Sequence, residues 1–213
     1  MPGVISSREL IPLVVSLADL APQRTRAGVR HVLGHPAVKV IAYDPRLLGM
    51  AKEILGTSAL PFRATLFDKS PDSNWLITWH QDTALPLVEK RETPGWGSWS
   101  LKDDVIYAHA PASTLEQVVA LRLHLDDSTH DNGPLRVLPG THQMGVLSDE
   151  QVEGEIAKRQ PVECLVARGS IVVMRPLVIH ASSKSQSPIP RRVLHVEYAQ
   201  NRSIAEPLQL AIA

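Results

Sequence analysis

One cysteine is all that 213 residues contain, and that scarcity removes an internal disulfide framework from consideration. Cys164 lies between Glu163 and Leu165 in an apolar stretch and reads as a buried strand residue. Net charge is lacking too. Lys+Arg and Asp+Glu each total 22, so the chain carries no electrostatic footprint for nucleic acid or an anionic membrane surface. A small anionic co-substrate needs only one or two placed cations, and neutrality leaves that class open. No N-terminal apolar run is long enough for a bilayer. The longest, Leu10 to Leu20, is broken by Pro12, contains Asp19 and lacks a basic leader. The expectation is a soluble chain in a reducing, cytoplasmic setting, with no membrane insertion, no nucleic acid and no protein partner indicated. Neither repeats nor linkers divide it, because the 17 prolines and 12 glycines are scattered. One domain with a sizeable core is the simplest organisation for this length.

What is present falls into two periods. The first sixty residues read as a helical layer. Asp44-Pro45 is a helix start, with Asp as cap and Pro at the first helical position. Leu47, Leu48, Met50, Ala51, Ile54 and Leu55 follow as an apolar stripe, and Gly56 is a fitting stop. Upstream, residues 24–35 are polar, punctuated by Gly, and read as a loop. From residue 61 the period changes to two. Strands are predicted over 62–67 and 75–80, and Leu121, Leu123 and Leu125 alternate with Arg122, His124 and Asp126. Asn132-Gly133 is a turn signal, and Ser148 with Gln151 predicts a capping box on a helix running to about Arg159. Further strands are predicted over 162–167, 170–174, 177–181 and 193–198, with Arg168-Gly169 turning between the first two. Many short strands behind a helical layer predict a mainly β fold with flanking α, a double-sheet jelly roll over residues 61–200.

Three stretches then converge on one chemistry: Trp79-His80-Gln81-Asp82, His180 and Arg191. On an extended segment, His80 and Asp82 point to the same face. Two imidazoles and a carboxylate form the facial triad of non-haem Fe(II) oxygenases, which leaves metal positions open. Alone, a His-Gln-Asp tripeptide reads equally well as a polar strand end, and His180 between Ile179 and Ala181 as a structural histidine. The combination is more specific. A hairpin would return Arg191 toward the metal, where its guanidinium suits the distal carboxylate of a 2-oxo diacid. Ser182, on the face of His180, is placed to donate a second hydrogen bond to that carboxylate. Arg192 would point to the opposite face.

These residues carry a family resemblance. The segments are Phe62 to Lys69, Asn74-Trp75, Trp79 to Asp82, Leu121 to Asp127, Asn132 to Leu135, Leu138 to His142 and His180 to Arg191. In this order and spacing, from about residue 60 to 200, the chain resembles the phytanoyl-CoA dioxygenase family of Fe(II)/2-oxoglutarate-dependent oxygenases. The resemblance implies a double-stranded β-helix (a cupin-like jelly roll), Fe(II) held by His80, Asp82 and His180, and 2-oxoglutarate anchored by Arg191 with Ser182. It also implies O2 as co-substrate, and hydroxylation of a small organic molecule with release of succinate and CO2. Asp82 speaks against halogenation, since related halogenases lack that carboxylate. The family often places a Trp where this chain has Arg122. That residue therefore either touches 2-oxoglutarate or substrate, or pairs with Asp126 or another acid.

Several residues remain open between two roles. Lys69 and Asn74 flank the loop leading to the metal strand, within reach of co-substrate or substrate. Trp96 and Trp99 sit in a Gly-containing loop where a substrate lid is expected, while Trp75 and Trp79 read as packing residues. His142 lines the substrate side or is a surface-loop histidine, and His124 supports the site or is bonded in the core. His31, His35, His109, His130 and His195 show no partner pattern. No basic cluster awaits the nucleotide phosphates of a CoA ester. The alternatives to a hydroxylase are a non-catalytic metal-binding β-barrel module and a desaturating or epimerising member of the same scaffold.

Overall fold

A computed structural model describes residues 1–213 except Arg26, Ala27 and Asp72. The first two fall within the expected loop over 24–35 and lie outside the described residues. The helical layer comprises α1 (Ser7–Ser16), α2 (Pro36–Ala42) and α3 (Pro45–Leu55). Ser6 and Glu9 form a reciprocal capping box at the start of α1. On α3 the Asp44 carboxylate accepts the Arg46 N–H at 2.9 Å. Its inner stripe is narrower than predicted: Leu47, Ala51 and Leu55 are buried, whereas Ile54 is 38% exposed.

The strands are β1 (Leu60–Lys69), β2 (Ile77–His80), β3 (Ala84–Leu87), β4 (Gly97–Lys102) and β5 (Val105–His109). A short α4 (Ala112–Leu115) leads to β6 (Val118–His124) and β7 (Leu135–Val137). After α5 (Asp149–Lys158) come β8 (Val162–Glu163), β9 (Ile171–Met174), β10 (His180–Ser182) and β11 (Arg191–Ala199). Two four-stranded antiparallel sheets, ordered β1-β11-β6-β9 and β2-β10-β7-β8, make a double-stranded β-helix. A third sheet, β3-β5-β4, stands beside them.

The period of two decides what faces where. Ala64 and Leu66 on β1, Leu121 and Leu123 on β6, and Leu194, Val196 and Tyr198 on β11 pack under the helices with Leu47 and Ala51. Each large aliphatic side chain so buried contributes about 1.5–3 kcal/mol. Tyr198 donates its hydroxyl hydrogen to the Ala42 carbonyl at 2.8 Å, which ties β11 to the end of α2. The alternate row, Arg63, Thr65 and Phe67 on β1, Arg122 on β6, and His195 and Glu197 on β11, faces a cavity between the two main sheets. The helical layer thus covers the apolar face of the first sheet and leaves its polar face to the interior.

Some expected elements differ. The strand expected over 75–80 begins at Ile77. Of the strand expected over 162–167, two residues pair as β8, and Val166 forms a lone bridge to Ser128. Cys164 is half-buried just past β8, on the outer edge of its sheet, rather than inside a strand. The strand over 177–181 starts only at His180, because Val178 N–H turns back to the Arg175 carbonyl. Arg191 does not return through a hairpin: β10 pairs with β2 and β7, and β11 with β1 and β6, so the chain between them crosses from one sheet to the other. Residues beyond 200 also join the fold, with Ile204, Leu208 and Leu210 buried against Leu85 and Leu87. The capping box at Ser148 and Gln151 forms as expected. Among the described residues no helix is long and apolar enough to cross a membrane.

Leu47 is fully buried at the joint between α3 and the first sheet. Leu47→Ala is expected to lower the free energy of unfolding by about 2–5 kcal/mol, read from the midpoint in urea, whereas Ile11→Ala on the exposed face of α1 stays within about 0.5 kcal/mol.

Candidate metal centre and its cavity

His80 ends β2, His180 begins β10, and the two are direct cross-strand partners. Their ring centroids lie 4.3 Å apart. Asp82 follows just past β2, where its N–H bonds the Pro176 carbonyl at 2.9 Å. Gln81 between them turns outward and staples the surrounding chain. Its amide donates to the Gly145 and Leu177 carbonyls, and its oxygen accepts the Leu147 N–H. The tripeptide is therefore two inward ligand candidates around one outward clamp.

The imidazoles are oriented by backbone. His80 Nδ1 lies 2.8 Å from the Thr78 carbonyl, and His180 Nδ1 lies 2.9 Å from the Val178 carbonyl. A carbonyl only accepts, so each Nδ1 carries a hydrogen and each Nε2 is the atom turned toward the prospective metal. The two Nε2 atoms each lie 3.5 Å from an oxygen of Asp82, one on Oδ1 and one on Oδ2. All three ligand atoms lie within 4.8 Å of one another. Burial lowers His180 to about 4, so it is neutral at pH 7. Burial alone would raise the Asp82 carboxyl, but the His180 and His80 rings outweigh it and hold the group well below the carboxylate range. Burial alone would lower His80, and its hydrogen bond to Asp82 raises it instead. Two imidazoles, each with Nδ1 held by a backbone carbonyl, and an ionised carboxylate fit a divalent cation of the iron type with open positions.

The cavity around the triad has a volume of about 470 Å³. At its inner end Arg191 and Arg122 line the wall, and Lys69 stands behind Ser182, outside the lining. Lys69 and Arg191 are direct partners across β1 and β11. Arg191 donates from Nε to the Asn132 carbonyl at 3.1 Å and from Nη2 to Ser182 Oγ at 3.4 Å, while its buried Nη1 has no partner. Lys69 is 1% exposed and donates to Ser182 Oγ at 2.7 Å and to the Ser183 carbonyl. Burial, then Arg191, brings Lys69 down to about 7, and burial, then Arg122, brings Arg191 down to about 10. The chain approaches closely here because Gly133 has φ +68° and a Cβ on it would meet the Ser183 oxygen at 2.4 Å. A buried, unmatched guanidinium beside a second cation is a fit for a carboxylate, so the inner end suits 2-oxoglutarate.

Other candidates stand differently from their expected places. Ser182 gives its hydroxyl hydrogen to the Gly133 carbonyl at 2.8 Å and accepts from Lys69, so it organises the cations rather than offering a free donor. Arg122 does not pair with Asp126, which binds Arg192 instead at 2.8 Å. It lines the cavity, with its guanidinium 5.2 Å over the Phe67 ring and Nη1 3.0 Å from His195 Nδ1. Asn74 holds the Ser185 backbone through both side-chain atoms and is not part of the cavity wall. Trp96 and Trp99 form no lid: the segment is strand β4, Trp96 is buried in the core beside β3 and β5, and Trp99 packs against it. His142 lies on a turn facing a separate surface hollow with Met174 and Val178. His124 is fully buried with neither ring nitrogen bonded, and burial lowers it to about 3, so it is neutral.

Sequence reasoning missed Arg30, Arg63, Lys102, Tyr107, His195 and Glu197, all on the cavity wall. Alternation on β11 carried a signal, since His195 and Glu197 share the row of Arg191. Arg63 and Glu197 are cross-strand partners joined by paired hydrogen bonds, one of 2.6 Å. Burial alone would raise Glu197, and Arg63 overrides it and lowers the carboxyl to about 2.

A profile of the phytanoyl-CoA dioxygenase (PhyH) family matches residues 16–193. The chain is similar to the L-proline trans-4-hydroxylase of Streptomyces griseoviridis, 26% identical over 180 residues that cover 72% of this chain. It spans 59% of that relative's length. Among solved structures, EctD from S. alaskensis with 2-oxoglutarate and 5-hydroxyectoine superposes with a TM-score of 0.71 at 18% identity, covering 95% of this chain and 71% of the other. The non-haem α-ketoglutarate-dependent epimerase SnoN from nogalamycin biosynthesis superposes with a TM-score of 0.68 at 16% identity, covering 94% and 76%. At these identities the two structures speak for the fold.

The Arg63–Glu197 pair has a pH signature. A carboxyl near 2 in the fold and near 4.5 when unfolded contributes stability above pH 4.5, which is lost as pH falls toward 2. Glu197→Gln is expected to flatten that part of the acid-unfolding curve and to cost about 3–5 kcal/mol at pH 7, because it strands the Arg63 charge.

Proposed function

Because the chain belongs to the phytanoyl-CoA dioxygenase family, we propose that it is a non-haem Fe(II)- and 2-oxoglutarate-dependent dioxygenase that hydroxylates a small organic molecule. The observation that carries this reading is the juxtaposition of the oriented His80-Asp82-His180 triad with an unmatched buried guanidinium on Arg191. A metal store would need the triad but not the cation. With Fe(II), 2-oxoglutarate and O2 in place, the centre supplies oxidation of a C–H bond and releases succinate and CO2.

The protein's own part is to hold and orient. His80, Asp82 and His180 are the metal ligands, their lone pairs aimed by the Thr78 and Val178 carbonyls. Arg191 takes the distal carboxylate of 2-oxoglutarate, and Ser182 and Lys69 fix its approach. Arg122, anchored on Phe67 and His195, borders the same space and adds positive charge toward it. Trp75 and Phe67 give that end apolar walls that exclude water. The hydroxylase name of the proline relative supports hydroxylation over epimerisation, although an epimerase shares the fold. The core shared by the helices and the first sheet supports one domain over 1–213, with residues 1–60 as helical layer and 61–200 as barrel.

Purified protein given Fe(II), 2-oxoglutarate, O2 and ascorbate is expected to release succinate, and its absence would favour a non-catalytic metal-binding barrel. Asp82→Ala should remove that release and weaken Fe(II) binding, measured by calorimetry, by tenfold or more. Arg191→Ala should raise the KM for 2-oxoglutarate by about 10- to 100-fold, as expected for a lost charge-assisted contact of about 1.5–3 kcal/mol. Full iron affinity in Asp82→Ala would sink the ligand assignment.

A further inference from the structure

Beyond the metal triad, the cavity's outer rim carries two cations that the proposed function leaves without a task, Arg30 and Lys102. Both are exposed, and among the described residues neither forms an ion pair or hydrogen bond with an acid. Asp103 and Asp104 at the neighbouring hairpin tip make no ion pair with either one. The contact described for Lys102 is with the Tyr107 ring, 4.9 Å from its centroid. Lys102 is also lowered from its ordinary value by burial and by the nearby Arg30 and Arg63 charges, which outweigh the Asp82 charge acting the other way.

Their placement is built rather than incidental. Lys102 ends β4 opposite Val105, and the turn between them has φ +48° at Asp103 and +62° at Asp104, the two left-handed positions of a type I′ turn. Arg30 follows Val29, which forms a two-way backbone bridge with Leu66 on β1. Gly28 makes that approach possible, because a Cβ there would lie 2.2 Å from the Leu66 oxygen. His31, next in sequence, bonds the Tyr107 hydroxyl at 2.7 Å and stacks on its ring. Tyr107 belongs to β5, the partner strand of Lys102. The His31–Tyr107 contact therefore joins the segment carrying Arg30 to the hairpin carrying Lys102.

Charge along the wall then decides the ligand class. Five cations, Arg30, Arg63, Lys102, Arg122 and Arg191, face two carboxylates, Asp82 and Glu197. Glu197 is matched by Arg63, and Asp82 belongs to the candidate ligand triad. A 2-oxoglutarate dianion satisfies the inner end, and the positive charge at the rim persists. We propose that Arg30 and Lys102 are the anion-recognition pair for the substrate, which is a small acid held by its carboxylate, phosphate or sulfate oxygens. Its apolar body lies along Leu76 and Ile77, and its reacting carbon faces the triad. A cavity of about 470 Å³ shared with the co-substrate keeps that acid small. This assignment rests on the oxygenase reading above.

The test uses matched probes: L-proline and L-prolinamide, hexanoate and hexanamide, benzoate and benzamide, with hexyl phosphate as the non-carboxylate acid. Each is titrated calorimetrically into the anaerobic Fe(II)/2-oxoglutarate complex and then assayed for stimulation of succinate release. At least one acid should bind tenfold or more tightly than its amide and stimulate turnover. Arg30→Gln and Lys102→Gln should each raise the KM of that acid tenfold or more, the loss falling on KM rather than kcat. Preference for hexyl phosphate over the carboxylates would identify a phosphate ester as the acid. Amides that match their acids, an acid response untouched in both variants, or no binding by any acid overturns the proposal. Acid binding that needs Arg30 and Lys102 in a protein that never consumes 2-oxoglutarate upholds the anion site and overturns the oxygenase reading.

Discussion

Unmatched positive charge inside the barrel is the constraint on which the rest of the molecule turns. Lys69 and Arg191 are opposed across neighbouring strands, an arrangement in which like charges repel, and Arg122 adds to both. Burying such charge without an anion costs more than a simple packing defect. The fold offsets that cost elsewhere, through the apolar face of the first sheet packed beneath the helical layer. It also spends the available acceptors, the Asn132, Gly133 and Ser183 carbonyls and Ser182 Oγ, on holding the cations in place. What these acceptors leave over is directional: a free Nη1 on Arg191 beside a lysine brought to about 7 by burial. A carboxylate bound there would relieve the repulsion and complete the hydrogen bonding together.

The metal end depends on a different device, strand register. His80 and His180 converge because β2 and β10 pair them directly, beside a register shift that sets Ser182 opposite Ile77. Slipping either strand by one would turn its imidazole to the other face. The Thr78 and Val178 carbonyls then fix the ring orientation, leaving both Nε2 atoms facing the Asp82 carboxylate, where a cation would be held between the three groups. Backbone atoms are well suited to this task because they cannot change protonation or rotate away. The Gln81 clamp adds rigidity from outside.

How far the sequence disclosed this follows from where each signal resides. The two-residue spacing of His80 and Asp82, the alternation on β6 and the caps of α3 and α5 are local patterns with a physical cause, and they were legible. The β3-β5-β4 sheet was not. Its β4 strand is largely solvent-facing, so it lacks apolar alternation, and its turn uses Asp103-Asp104 instead of the usual glycine. Reading that segment as a loop displaced Trp96 and Trp99 into a lid, when their bulk serves the core beside it. His31 and Arg30 were illegible for another reason: their roles come from a bridge to Leu66 and a contact with Tyr107, pairings between segments distant in sequence. Arg122 was legible as an inward residue, but its choice of His195 over Asp126 is set by cross-strand register rather than by sequence distance.

On the proposed reading, recognition of co-substrate and recognition of substrate fall in separate parts of the architecture. The inner anion site is made by β1, β10 and β11, strands of the two main sheets, and its residues cannot move without disturbing the barrel. The outer wall is made by residues 28–31 and the β4–β5 hairpin, which lie outside those sheets and meet through His31 and Tyr107. Among the described residues no hydrogen bond joins Arg30 or Lys102 to the triad or to Arg191, and the link to the triad is the charge of Asp82 felt by Lys102. A scaffold divided in this way can keep one oxidative chemistry while exchanging the molecule presented to it. In this chain that outer wall is cationic, so on the anion-site proposal the anchored end of an acid substrate would set which carbon lies over the triad, and regiochemistry would follow from the span between Arg30, Lys102 and the triad.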